Sequence, residues 1–246
     1  MRLRSTVLGL AAGLTLLAAP ALAAPGCDRG TPGDDVIRCS RFDDVHPGDA
    51  GNDFVFGKER SDYLHGGAGG DEVYGGVGRD VLWGDGGWDR LDGGPGADSL
   101  IGGEGDDRLD GSTGADSLSG GEGDDVLDGG PYGDQLGGNQ GDDTLVGGEG
   151  DDEFNGHGGA DLVIAGLGDD VLRGGFGSDV LKAGEGDDDL YGGGGEDVMF
   201  AGRGDDVVYA ADDRRDRIRC GDGSDRVQAD PFDRVHGSCE RVERVR

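Results

Sequence analysis

From Gly30 onward the apolar residues recur every ninth position, a spacing that suits neither a helix nor a long strand. Read in steps of nine, Gly30 to Tyr209 gives twenty consecutive units with no insertion. Gly102-Gly103-Glu104-Gly105-Asp106-Asp107-Arg108-Leu109-Asp110 is one of them. Position 6 is aspartate in all twenty, from Asp35 to Asp206. Position 4 is glycine in seventeen, the exceptions being Phe42, Arg60 and Tyr132. Position 8 is apolar in nineteen, with His46 the exception. Glycines at positions 1, 2 and 4 predict a tight turn, where positive φ and close backbone approach are needed. The three residues 7 to 9 are too few for a helix and predict a short strand. Position 8 then faces inward and supplies the whole core, while 7 and 9 face outward.

Composition narrows the class. Glycine makes up 57 of 246 residues, hydrophobic residues 33% and aromatics 6%, which is too little apolar volume for an ordinary enzyme core. Glycine does not fall at every third residue, so a collagen helix is excluded. The formal net charge of −31 disfavours nucleic acid as a partner and favours cations. Residues 1–23 read as a cleaved signal peptide: Arg2 and Arg4, an apolar stretch from Val7 to Ala19, then Ala21-Leu22-Ala23. Cleavage removes two arginines and takes the charge to −33. No other apolar run reaches spanning length, so the mature chain is expected to be soluble rather than transmembrane. Export would place it where calcium is plentiful and thiols oxidise, which suits Cys27, Cys39, Cys220 and Cys239. No C-x-x-C or close His pair supports zinc.

The units resemble the RTX (repeats-in-toxin, hemolysin-type) calcium-binding nonapeptide, G-G-x-G-x-D-x-U-x, over 180 of the 246 residues. The resemblance implies a secreted bacterial protein and an all-β fold. That fold is a right-handed parallel β-roll, a solenoid of about ten coils with two nonapeptides each. In that family calcium sits between turns n and n+2, held by the position 6 aspartate and turn carbonyls. The metal ligands implied here are Asp35, Asp53, Asp71, Asp80, Asp89, Asp98, Asp107, Asp116, Asp125, Asp134, Asp143, Asp152, Asp161, Asp170, Asp179, Asp188, Asp197 and Asp206. A second-order period of eighteen supports two units per coil. Alanine takes position 1 in units 16, 18 and 20 (Ala165, Ala183, Ala201). Aspartate takes position 5 at Asp106, Asp124 and Asp142, then switches phase to Asp151, Asp169, Asp187 and Asp205. Pairing units across coils gives about 14–18 Ca²⁺ sites, the lower figure allowing for the units that lack the position 4 glycine. Eighteen divalent ions would bring −33 to about +3, so folding is expected to be coupled to metal binding. Coils stacked at about 4.8 Å separate the two ends by roughly 48 Å, and a disulfide needs Cα atoms within about 7 Å. On this fold Cys27 pairs with Cys39 and Cys220 with Cys239, one staple at each end.

The expected organisation is a signal peptide at 1–23, degenerate N-terminal repeats or cap at 24–65, the calcium-binding repeats at 66–209 and a C-terminal cap at 210–246. The phase slips by one residue after Tyr209, and an Arg/Asp-rich pattern follows at Asp216-Arg217-Ile218, Asp225-Arg226-Val227 and Asp233-Arg234-Val235. It resembles the Cys-containing tails of secreted bacterial proteins with the same repeats. No G-x-S-x-G or H-E-x-x-H motif is present, and the four histidines fall in separate coils, so no catalysis is expected. Six aromatics gather between Phe54 and Trp88; Phe56, Tyr74, Trp83 and Trp88 form a candidate ligand patch. The reading is a secreted, non-catalytic protein whose repeats fold on binding calcium. Its alternatives are an adhesion module for a cell-surface glycan or wall polymer, with the roll as scaffold, and a structural or calcium-storing component.

Overall fold

A computed structural model describes residues 27–28, 30–39 and 45–245. The signal segment 1–23 lies outside the described residues, as do Phe42 and Asp44 of the second unit. The chain winds into two sheets of twelve strands each. Strands of odd-numbered units fill one sheet, those of even-numbered units the other, and every pairing between strands is parallel. Leu100, for example, lies opposite Leu118, and Leu127 opposite Leu145, each partner one coil and eighteen residues on. Among the described residues there is no helix, and none that could cross a membrane. The fold is thus an all-β parallel solenoid with two nonapeptides per coil.

Each regular strand is longer than the sequence predicts. It spans positions 7, 8, 9, 1, 2 and 3, as in Ser99–Glu104, rather than 7 to 9 alone. The glycines at 1 and 2 extend the ladder because hydrogen bonding in a sheet needs no side chain. Alternation then turns positions 6, 8 and 1 inward. Asp107, Leu109 and Gly102 are all buried, whereas Arg108 is exposed. The core is therefore not position 8 alone. A continuous stack of Leu, Val, Ile, Phe and Met is flanked by aspartate on one side and by glycine or alanine on the other. Ala165, Ala183 and Ala201 place their methyls in that stack.

The turn needs glycine at position 4 for two reasons. Gly105 has φ +118°, and a Cβ there would strike the carbonyl oxygen of Gly87 in the preceding coil. Adjacent coils are packed backbone on backbone at this edge.

The roll does not stop at Tyr209. Arg217–Asp222, Arg226–Ala229, Arg234–Val235 and Arg241–Arg244 continue both sheets, giving twelve strands per sheet where ten coils were expected. One inserted residue before Asp216 hides this continuation. Pairs across it are nineteen apart, as in Val198 opposite Arg217. Past it, Cys220-Gly221-Asp222-Gly223-Ser224-Asp225-Arg226-Val227-Gln228 restores the full pattern with cysteine at position 1. Disulfides join Cys27 to Cys39 and Cys220 to Cys239. Cys39 and Cys220 both occupy position 1 and face the core, so each staple ties an end segment to the inner stack.

Candidate metal centre

The position 6 aspartates form two ladders, one along each edge of the roll. From Asp53 to Asp206 every one of them is at most 3% exposed. Each Oδ1 accepts the backbone N–H of the aspartate one coil earlier. The distance is 2.8 Å from Asp89 N to Asp107 Oδ1 and 2.7 Å from Asp98 N to Asp116 Oδ1. The odd ladder runs from Asp35 to Asp233, and the even one from Asp62 to Glu240. The sheet fixes the backbone that carries them: Val126 N donates to Asp107 O at 2.9 Å, and the same bond recurs coil after coil. Asp35 stands apart. It is half-buried, and its Oδ2 accepts from the amide and hydroxyl of Thr31.

The second carboxylate oxygen is the chemically informative one. In every position 6 aspartate from Asp80 to Asp225, and in Asp53, Oδ2 is buried with no hydrogen-bond partner among the described residues. Where position 1 is glycine, from Gly75 to Gly192, it points over that glycine: a Cβ on Gly102 would strike Asp107 Oδ2. Burial pushes these carboxyls up. Asp89, Asp107, Asp143, Asp152, Asp179 and Asp188 rise to about 7, and Asp80, Asp98, Asp116, Asp125, Asp134, Asp170 and Asp206 to about 6. Neighbouring aspartates add to the rise, while the donated amide opposes it. A buried anionic oxygen without a donor is costly and calls for a proton or a cation. Oxygen-only donors in a flexible turn suit Ca²⁺ better than a transition metal. The aspartates and the turn carbonyls beside them are the groups that would hold it, and the ion would supply the positive charge the ladders lack.

A second, outer ladder comes from position 5. Asp124 Oδ1 accepts Asp142 N at 2.8 Å, and Asp169 Oδ1 accepts Asp187 N at 2.8 Å. These carboxylates are exposed and reach forward to the following coil, whereas the position 6 set reaches back. Asp106, Asp124 and Asp142 run along one edge, and Asp151, Asp169, Asp187 and Asp205 along the other, which is the phase switch seen in the sequence.

The four patch aromatics are not brought onto one surface. Phe56 stacks on Tyr74 at 5.1 Å on the odd sheet. Trp83 lies on the even sheet against His65 at 4.3 Å and Tyr63 at 6.4 Å. Trp88 sits in a position 5 turn, 74% exposed. Unit parity separates Trp83 from Phe56 and Tyr74, since odd and even units face away from one another; Trp88, in an odd unit, is set apart by its place in the turn. Two features escaped the sequence reading. One is Asp49, a carboxylate at a glycine position, which lies with Asp35 and Asp53. The other is a cleft of about 380 Å³ on the odd sheet near the C-terminus, lined by Val198, Phe200, Arg217, Arg219, Arg234 and His236.

Residues 47–82, 65–100, 101–135, 137–172 and 173–208 match the RTX calcium-binding nonapeptide repeat (4 copies) family. No curated protein matches the chain. With matches running through most of its length, the chain belongs to the RTX calcium-binding nonapeptide repeat family.

Proposed function

We propose that this RTX-repeat chain is a secreted, non-catalytic calcium-binding protein whose roll folds as the ions bind. The observation that carries the reading is the pair of buried aspartate ladders with their unsatisfied Oδ2 oxygens. Metal-free, both edges confine rows of like charge in a dry interior; with about 14–18 Ca²⁺ bound, those rows become the cement between coils. Residues 1–23 direct export, and the stapled ends at 24–65 and 210–246 close the open edges of the solenoid. Circular dichroism of the mature chain during a Ca²⁺ titration, with Mg²⁺ as control, tests this directly. A cooperative coil-to-β transition at calcium levels of about 10⁻⁴–10⁻³ M, absent with Mg²⁺, is expected. A β-spectrum already present in chelator at neutral pH, and unchanged by calcium, would overturn the reading.

A second reading has its own support. Among the described residues no carboxylate pairs with Arg217, Arg219 or Arg234, in a chain with 53 acidic side chains. The Arg219 guanidinium lies over the Phe200 ring at 5.8 Å, which fixes its orientation in the cleft. Such a cationic face suits an anionic cell-surface glycan or wall polymer, with the calcium-loaded roll as scaffold. Calcium-dependent retention on isolated cell wall, lost in an Arg217→Glu/Arg234→Glu variant, supports it. Equal retention of that variant argues for the storage or structural use instead.

A further inference from the structure

The N-terminal units break the pattern that the later ones keep. From Gly57 onward each position 1 glycine lies under its own position 6 aspartate, as Gly66 does under Asp71. At the N-terminal end the space over Gly30 is taken by a carboxylate from the next coil: a Cβ on Gly30 would strike Asp49 Oδ2. Asp49 stands at position 2 of its unit, where the repeat has glycine. In this unit the positive φ is at Gly48, +71°, rather than at position 2, and Asp49 Oδ1 is buried with no hydrogen-bond partner among the described residues. Carboxylate oxygens of Asp35, Asp49 and Asp53 come within 4.8 Å of one another. Asp53 is 1% exposed; its Oδ1 takes the Asp35 amide at 2.8 Å, and its Oδ2 is buried without a partner. Asp49 and Asp53, each with one orphaned oxygen, thus converge with Asp35, whose Oδ2 already accepts from Thr31, and no cationic side chain forms an ion pair there among the described residues.

We infer that Asp49 adds a third carboxylate to the first position 6 pair of the roll, Asp35 and Asp53, and so makes a capping calcium site of three carboxylates. The inference rests on the calcium-binding reading above but adds a ligand that the repeat pattern does not contain. Calcium affinity rises with the number of carboxylates offered to the ion. Along the roll a pair of position 6 aspartates has only glycine, alanine or cysteine at the inward position 1 beside it, whereas here Asp49 joins the pair. The Cys27–Cys39 disulfide already closes the chain beside Asp35, so part of the ordering cost is met before the ion arrives. The capping site should therefore fill first and set the end from which the coils grow.

Hydrogen exchange of the full mature chain across a calcium titration tests this, read separately for residues 30–53 and 66–209. In the wild type, protection of 30–53 is expected at a calcium level at least about tenfold below that needed for 66–209. Asp49→Asn, which removes the charge at nearly constant shape, should move the 30–53 midpoint up at least about tenfold and leave the 66–209 midpoint within about twofold. Asp49→Gly, which restores the repeat's own residue, should do the same and guards against a folding artefact. An unchanged 30–53 midpoint in both variants would overturn the capping site while leaving the roll's sites intact. Absence of calcium-dependent protection across 66–209 would instead overturn the roll reading, with the 30–53 response judged on its own.

Discussion

Asp143 and Asp233 stand in the same ladder, five coils apart, and differ in how their oxygens are satisfied. Asp143 Oδ1 accepts Asp125 N at 2.8 Å, and its Oδ2 is buried with no partner. Asp233 Oδ1 accepts Asp216 N at 3.0 Å, and its Oδ2 accepts Asp230 N at 2.7 Å. The last units are shorter, and that shortening brings the Asp230 amide back to the carboxylate. Arg244 lies beside it, donating to the carbonyls of Asp230 and Asp233. Burial raises both carboxyls, Asp143 to about 7, but at Asp233 two amides and Arg244 oppose the rise. The chain can therefore complete this carboxylate with its own donors, and does so at the ends of the roll: at Asp233 in the final coil and, through Thr31, at Asp35 Oδ2 in the first. In the interior it leaves one oxygen open, so the demand for a cation is regional.

The largest consequence is a regional response to chelation. At neutral pH, removing calcium should abolish hydrogen-exchange protection through residues 66–209 by several orders of magnitude. Protection in Arg217–Arg244 should fall less, because amide-closed Asp233 and the Cys220–Cys239 disulfide remain. Uniform loss along the chain would break the contrast between the two regions.

Substitution sharpens it next. Asp143→Ala should raise the calcium concentration needed for folding and reduce the number of ions bound, since the side chain's open oxygen is the one a cation would use. Asp233→Ala leaves the amides of Asp216 and Asp230 without their acceptor and should cost about 1–3 kcal/mol at saturating calcium. The number of bound ions should not change. Urea denaturation at saturating calcium and equilibrium dialysis separate the two outcomes.

Acid provides a smaller, opposite handle. In the metal-free roll burial raises the interior aspartates, Asp143 and Asp152 to about 7 and Asp170 to about 6, against 3.8 for the ordinary group. The folded state then binds more protons than the unfolded chain between those values. Its metal-free stability is greatest below about 4 and is lost as pH rises through 6 to 7. The calcium-free chain should gain β-structure near pH 4 and lose it by pH 8. Calcium affinity should run the other way, weakening below pH 7 as protons compete for Oδ2. Circular dichroism across pH, with chelator and with calcium, shows both signs or neither.

Much of this was readable from the period alone. Nine-residue spacing with one apolar position and one aspartate fixes the coil, and the Ala165, Ala183 and Ala201 alternation fixes two units per coil. Three things were hidden for physical reasons. Glycines at positions 1 and 2 look like turn residues, yet they are strand residues: at position 1 the missing side chain leaves room for the buried aspartate, and at position 2 for the backbone of the preceding coil. One inserted residue before Asp216 masks a further full unit at Cys220–Gln228, because a strict period tolerates no slip although a sheet does. Asp49 reads as one more acidic surface residue; only its convergence with Asp35 and Asp53 marks it out. The aromatic grouping failed differently: proximity in sequence is not proximity in space when successive units face opposite ways.

The smallest effect belongs to the outer ladder and bounds the whole comparison. Asp124 accepts the Asp142 amide at 2.8 Å and is exposed, so water can replace it as acceptor. Asp124→Ala should cost about 0.5–1 kcal/mol at saturating calcium, one modest charge-assisted hydrogen bond at a solvated edge. The calcium midpoint and the number of bound ions should stay as in the wild type. Asp124 and Asp143 carry the same group on the same edge of the roll; what separates them is burial and the open oxygen it creates. If Asp124→Ala moved the calcium midpoint as far as Asp143→Ala, the exposed carboxylates would be ligands too. Burial would then no longer be what assigns a carboxylate to the metal, and the division between inner and outer ladders would have to be given up.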